Sequence, residues 1–339
     1  MRKTVEWIKG KRIIIGSVAL IAVISGGGTY LATKNYYQNL LADAHPIFVA
    51  HSPYALLHPI LGISVPGDQF NDGFPDVRSG IQSIVSAEPQ GTLTRYSVYL
   101  RELDSGHWTG INEHEPFDPA SLLKVVVAIA AYKQAEIRPS FLVTPLVYTK
   151  DLAQVNAQLP FAQPAELAVG QSYTVPYLVK KELSDSDNSA VYTLLSAIDP
   201  QTLDSVYDDL SIPRPNATDS EGYKLTAFEY SRFFRILYLG TLDLAWADSE
   251  QILENLSQST FTTGLVAGVP STVTVAHKFG EHVTGPSDVE LSDCGIVYAP
   301  GKPYFLCVMT EGNDQASLAN VIAQISRFVY QKMNAQASS

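Results

Sequence analysis

Apolar residues recur at helical spacing near both ends of the patterned part of this chain. In DVRSGIQSIVSA (76–87), Val77, Ile81, Ile84 and Val85 share one helix face; in ASLANVIAQISRFVYQKM (316–333), Leu318, Ile322, Ile325 and Val329 do the same. Between them the period changes. RYSVYLREL and HWTGINE alternate about a DSG turn, which is a hairpin signal, and strand character returns in TVTVAHKF (272–279). Two further β-rich runs follow in LSDCGIVYAPGKPYFLCVMTEG (291–312). Residues 140–260 read as mostly helical with long connections, as in AFEYSRFFRILYLGTL and DSEQILENLSQ. This order predicts an α+β fold over 76–335: an antiparallel sheet flanked by N- and C-terminal helices, with an inserted all-helical subdomain. No internal repeat or low-complexity tract interrupts it.

The N-terminus has a different pattern. Arg2, Lys3, Lys9, Lys11 and Arg12 precede an uncharged run, Ile13 to Ala32, whose length as a helix is roughly 30 Å, the thickness of a bilayer's hydrocarbon core. The expectation is one transmembrane helix over 13–32, with residues 1–12 cytoplasmic and the rest outside the cell membrane. A cleaved signal peptide is the competing reading, although no convincing A-x-A site follows the run. Residues 33–75, polar and then proline-rich, read as a stalk and lead-in.

Charge narrows the partners. Residues 1–34 hold six Lys/Arg and one acid, which leaves 17 basic against 33 acidic residues from totals of 23 and 34. Such a surface repels phosphate backbones, so nucleic acid is not an expected partner. Apolar residues make up 46% of the chain, enough for a substantial core. Of the two cysteines, Cys294 and Cys307 become cross-strand neighbours if Pro300 and Gly301 form the turn of a hairpin. In an oxidising compartment they could pair; two buried free thiols are the alternative.

The chemistry centres on FDPASLLKVVV (117–127), which holds the chain's one Ser-x-x-K, Ser121 and Lys124. Ser121 falls in the first turn of a largely apolar helix, where unpaired N–H groups favour developing negative charge. Lys124 lies one turn on, along the same face. Burial on so apolar a helix should lower its pKa toward neutrality, as a general base requires. An N-cap serine with a snorkelling lysine is the plainer reading of this motif taken alone. Two more motifs change that balance: Ser186-Asp187-Asn188 just before a helix-like run, and Lys278-Phe279-Gly280 at a predicted strand.

Ser-x-x-K, Ser-Asp-Asn and Lys-x-Gly in this order and context resemble the class A β-lactamase and penicillin-binding serine hydrolase superfamily, over about residues 90–333. The resemblance implies that Ser121 attacks an amide or lactam carbonyl to form an acyl-enzyme, with Lys124 taking its proton. It implies that Ser186 relays a proton to the leaving nitrogen and that Lys278 keeps the local potential positive. Asn188 would bind the substrate's amide, and the backbone at Ser121 and Glu281, beside Gly280, would form an oxyanion hole. The substrate would be a β-lactam or a cell-wall peptide, with no metal or organic cofactor.

Two departures stand out. Rapid β-lactamases of this superfamily carry a Glu-x-x-Leu-Asn loop whose glutamate activates the deacylating water, yet no glutamate lies between Asn188 and Ser220. Glu221 is the candidate substitute; Asp208, Asp209 and Asp219 are the other nearby acids. Phe279 and Glu281 stand where hydroxyl residues usually help bind a substrate carboxylate. These features point to slow deacylation and leave three functions open: lactam hydrolysis, D,D-carboxypeptidase action on peptidoglycan stems, and a non-catalytic β-lactam or cell-wall binding module. His277, Glu281 and His282 lack the geometry of a metal set.

Overall fold

The structure is a computed structural model that describes residues 47–48, 54–57, 60–62, 74–152, 160–161, 167–215, 222–241, 244–285 and 288–337. It divides into two compact units, residues 1–47 with 62–69, and residues 48–61 with 70–339. Of the first unit, Ile47 and Gly62 are described, each in a short strand (β1, Ile47–Phe48; β2, Ile60–Gly62). The expected membrane span over 13–32 lies outside the described residues. Among those described, no helix is long and apolar enough to cross a membrane.

In the second unit five strands form one antiparallel sheet: β3 (Leu93–Glu102), β4 (Trp108–Ile111), β7 (Val275–Gly285), β8 (Asp288–Val297) and β9 (Tyr304–Gly312), in the order β4-β3-β9-β8-β7. A minor pair, β5 (Leu146–Val147) and β6 (Ser172–Tyr173), lies in the helical insertion. The predicted hairpin geometry holds. Cys294 faces Cys307 across β8 and β9, and the two form a disulfide. The turn between them closes through Lys302 N–H to the Ala299 carbonyl, with Gly301 at φ +74°, a conformation glycine adopts without a Cβ penalty.

Strand alternation sends side chains to two separate cores. On one face Val98, Leu100, Leu306 and Val308 pack under α1 (Pro75–Ala87) and α8 (Gln315–Ala337). The stripes read from the sequence are the ones buried there: Val77 and Ile81 from α1, and Leu318, Ile322, Ile325 and Val329 from α8. The opposite face, with Tyr99, Cys294, Ile296, Phe305 and Cys307, carries the helical insertion. That block comprises α2 (Lys124–Ile137), α3 (Val175–Ser184), α4 (Asn188–Leu195), α5 (Pro200–Asp209), α6 (Ala227–Leu239) and α7 (Trp246–Ser257). Every residue from Lys124 to Tyr132 is buried, so α2 is the central helix of the block, as its all-round apolar character requires.

Phe234 of α6 joins the insertion to the sheet. It is fully buried and its ring lies 5.4 Å from Phe305 of β9 and 5.7 Å from Tyr230. Phe234→Ala is expected to cost about 3–5 kcal/mol, read as a lowered midpoint in chemical denaturation. A loss under about 1 kcal/mol would mean that the helices and sheet are not coupled through this ring.

Candidate active site

Ser121 sits in a 3-10 turn, Ala120–Leu123, that runs directly into α2. Several contacts pin this turn. Asp118 Oδ1 accepts from Ala120 N–H at 2.8 Å, Glu290 Oε2 accepts from Asp118 N–H at 3.0 Å, and the Tyr230 hydroxyl donates to the Leu122 carbonyl at 3.0 Å. Ala120 is held at φ +43°, left-handed backbone that a non-glycine residue adopts only when its surroundings impose it. The edge strand β7 presses on the same turn. A Cβ on Gly280 would lie 2.7 Å from the Pro119 carbonyl oxygen and 3.1 Å from Leu122 Cγ, so the glycine is what permits the approach. The strand thereby brings the backbone around Gly280 and Glu281 alongside Ser121.

The three motifs converge. Lys124 Nζ donates to Ser121 Oγ at 3.0 Å, to Ser186 Oγ at 3.0 Å and to the Ser186 carbonyl at 2.6 Å. Lys278 Nζ reaches the same Ser186 Oγ at 3.0 Å and the Phe279 carbonyl at 3.0 Å. Ser186 therefore bridges the two lysines. It too is left-handed, at φ +58°. Its position is fixed on one side by Asp187, whose carboxylate caps α4 by accepting from Ser189 N–H, and on the other by Thr260, which donates to the Ser184 carbonyl. Asn188 is half-buried, and among the described residues its side chain has no hydrogen-bonding partner in the protein, which leaves its amide available to a ligand.

Burial tunes the lysines. Desolvation pulls Lys124 down to about 8, opposed by the negative charges of Glu182, Asp187 and Glu281. Lys278 is lowered well below the usual lysine range, by burial first and by Lys124 second. Lys124 is thus a buried amine that can shed its proton near neutrality while touching the hydroxyl of Ser121.

The residues that break the superfamily pattern are also placed. Phe279 does not offer its side chain to a ligand: it is buried in the core beneath α1 and α8 and stacks on Phe261 with ring centroids 4.4 Å apart. The Lys278 ammonium lies 4.1 Å from the centroid of that ring. Glu281 is buried, its Oε2 accepts from Phe161 N–H at 3.3 Å, and desolvation raises its pKa. His277 is buried against Asp293, Nδ1 to Oδ1 at 2.7 Å, and among the described residues no His, Cys, Asp or Glu group is arranged to hold a metal. The candidate base Glu221 lies outside the described residues, as does Asp219. Asp208 pairs with Arg214 and Asp209 with Lys133, both on the surface, so neither serves the site.

Sequence reasoning missed Glu182. It lies on α3 four residues before Ser186, fully buried, and its carboxyl oxygens have no hydrogen-bonding partner among the described residues. A signal was present: Val175, Leu178, Val179 and Glu182 follow helical spacing, which puts the carboxyl on the apolar face.

A nucleophile in contact with a buried amine, with a second hydroxyl joining that amine to another lysine, defines a serine acyl-transfer centre of the β-lactamase and penicillin-binding type. The profile of the beta-lactamase enzyme family matches residues 76–333, and the chain belongs to that family as a β-lactamase-like serine hydrolase. A β-lactamase of Streptomyces lavendulae is 26% identical over 257 residues, 72% of this chain and 81% of that protein. Among solved structures, PBP-A superposes with a TM-score of 0.63 at 22% identity, over 77% of this chain and 97% of its own. A β-lactamase from Xanthomonas campestris gives 0.63 at 23% identity, over 76% and 97%. The structural likenesses establish the α+β fold with its antiparallel sheet and helices.

Proposed function

We propose that this chain is a penicillin-binding serine acyltransferase that forms an acyl-enzyme on Ser121 and releases it slowly. The observation that carries the reading is the contact between Lys124 Nζ and Ser121 Oγ, with Ser186 joining Lys124 to Lys278. Neutral Lys124 takes the Ser121 proton as Oγ attacks the lactam or amide carbonyl. Negative charge then develops on the carbonyl oxygen beside the backbone of Ser121 and Glu281. The C–N bond breaks as Ser186 gives its proton to the leaving nitrogen, and the Lys124 ammonium, hydrogen-bonded to Ser186 Oγ, replaces it. Asn188 holds the substrate's amide. Lys278, low in proton affinity but hydrogen-bonded to Ser186 Oγ, keeps the local potential positive when charged.

Hydrolysis of the ester then needs a base for the incoming water. Among the described residues no carboxylate hydrogen-bonds Ser121 or Lys124, which favours a long-lived adduct over rapid β-lactam turnover. The solved neighbour PBP-A supports the substrate class, since a point mutant of it is described as an acyl-enzyme complex with penicillin G. The uncharged run 13–32 after a basic flank supports placing the catalytic domain outside the cell membrane on a single-pass anchor.

The test is intact-mass analysis of the full-length chain after exposure to benzylpenicillin. An adduct of one penicillin that persists for many minutes is expected. Penicillin consumed without an adduct would instead define a working β-lactamase with an unconventional base. Neither adduct nor consumption would leave D,D-carboxypeptidase action or a non-catalytic binding role to be assayed with cell-wall peptides.

A further inference from the structure

We propose that Glu182 is a positioning residue for the reaction: a carboxyl buried without a hydrogen-bonding partner on the helix that leads into Ser186, whose charge sets how readily Lys124 and Lys278 hold their protons. This rests on Lys124 being the base of the acyl-transfer reading. A carboxyl group removed from water and given no hydrogen bond costs stability that an apolar residue of similar size would not, and native proteins retain few such groups. Glu182 is 0% exposed and both its oxygens lack a partner among the described residues. Nothing in the packing of α3 requires a carboxyl there. Its neighbours on the same face, Val175, Leu178, Val179 and Leu183, are all apolar and buried.

The groups that act on it are those of the site. Burial pushes Glu182 well above the usual carboxylate range, and Lys124 from α2 and Lys278 from β7 oppose that shift. In return Glu182 is the foremost of the charges that restore the proton of Lys124, ahead of Asp187 and Glu281, and it supports Lys278 together with Asp293 and Glu281. Of the other ionisable groups on α3 and the neighbouring α7, Lys180 is exposed to solvent and two are engaged elsewhere. Lys181 pairs with Asp185 at the end of the helix, and Glu250 of α7 accepts from the backbone N–H groups of Ala55, Leu56 and Leu57.

Glu182 and the two amines thus form one coupled titrating set, in which a proton gained by any member changes the hold of the others. The ionised carboxylate makes Lys124 keep its proton to higher pH. Acylation requires neutral Lys124, so the carboxylate delays the onset of acylation as pH rises. In exchange it makes the Lys124 ammonium, once formed, persist long enough to return its proton through Ser186 to the leaving nitrogen.

The experiment compares the full-length chain with Glu182→Gln, which keeps the shape and removes the charge. The pH profile of the acylation rate with benzylpenicillin should move its acidic limb downward. At a fixed pH below the limb, Glu182→Gln should acylate roughly tenfold faster than the parent. Glu182→Asp should restore much of the parent profile. Lysine Cε resonances followed by NMR should show Lys124 losing its proton at lower pH in Glu182→Gln, with or without substrate. A folded Glu182→Gln with both the limb and the Lys124 titration unchanged overturns the proposal. If the parent chain is never acylated, the acyl-enzyme reading fails while the lysine titration still decides the role of Glu182. Should Glu182→Gln not fold, the parent supplies the test: its Glu182 carboxyl and Lys124 resonances must change over a common pH interval, and independent titrations overturn the coupling.

Discussion

Ser121→Ala is expected to abolish the penicillin adduct, with acylation falling by a factor on the order of 10⁶. The change removes one oxygen, and the only partner of that oxygen among the described residues is Lys124 Nζ. Lys124 keeps both of its bonds to Ser186, so the buried amine is not orphaned. The turn is held by Asp118, Glu290 and Tyr230, none of which uses the Ser121 side chain. Stability should therefore shift by no more than about 1 kcal/mol, the ordinary worth of one hydrogen bond. Intact mass and thermal unfolding, measured together, check both halves. An adduct that survives in a folded Ser121→Ala protein would place the nucleophile elsewhere.

The second large effect belongs to Lys124. Lys124→Met keeps the apolar stem in the packed centre of α2 and removes the amine. Acylation should fall by about 10²–10⁴-fold, the usual contribution of a positioned base. The pH dependence separates this role from a structural one. With the Lys124 proton lost near pH 8, acylation of the parent should be slow below that value and rise as pH passes through it. In Lys124→Met the residual rate should lose this limb, because the group that titrates is gone. The same limb in both proteins would show that some other residue accepts the Ser121 proton.

Much of this site was legible in the sequence alone. Ser121, Lys124, Ser186 and Lys278 were marked by three short motifs, and the structure links their side chains in one run of hydrogen bonds, Ser121 to Lys124 to Ser186 to Lys278. The cysteine register followed from turn position alone, because an antiparallel hairpin fixes every pair once its loop is known. What was not legible depended on side-chain direction. Phe279 and Glu281 occupy positions where a motif comparison expects ligand-facing hydroxyls, yet Phe279 packs into the core beneath α1 and α8 and Glu281 is bound to the backbone of Phe161. The 3-10 turn ahead of α2 was likewise hidden, since Ala-Ser-Leu-Leu has ordinary helix-forming character. Its shape is imposed by Gly280, from a strand more than a hundred residues away, and by Tyr230. Glu182 escaped because one acid on a helix is ordinarily solvent-facing, and its burial depends on what α2 and α7 cover.

The site also has a history in time. Lys124 and Ser186 are 62 residues apart along the chain, and Ser186 and Lys278 are 92 apart. Contacts of such separation must close long loops, so they are slow to form during folding. The left-handed Ala120 and Ser186 are conformations the isolated chain avoids, and they hold only once α6, β7 and the Thr260 segment are all seated around them. The complete set of Ser121, Lys124, Ser186 and Lys278 is consequently expected to close late, with the docking of the sheet's edge strand against the helical block. Capacity to take up penicillin then becomes a clock for the completion of folding: a labelled lactam added during refolding would count finished molecules and pass over compact unfinished ones.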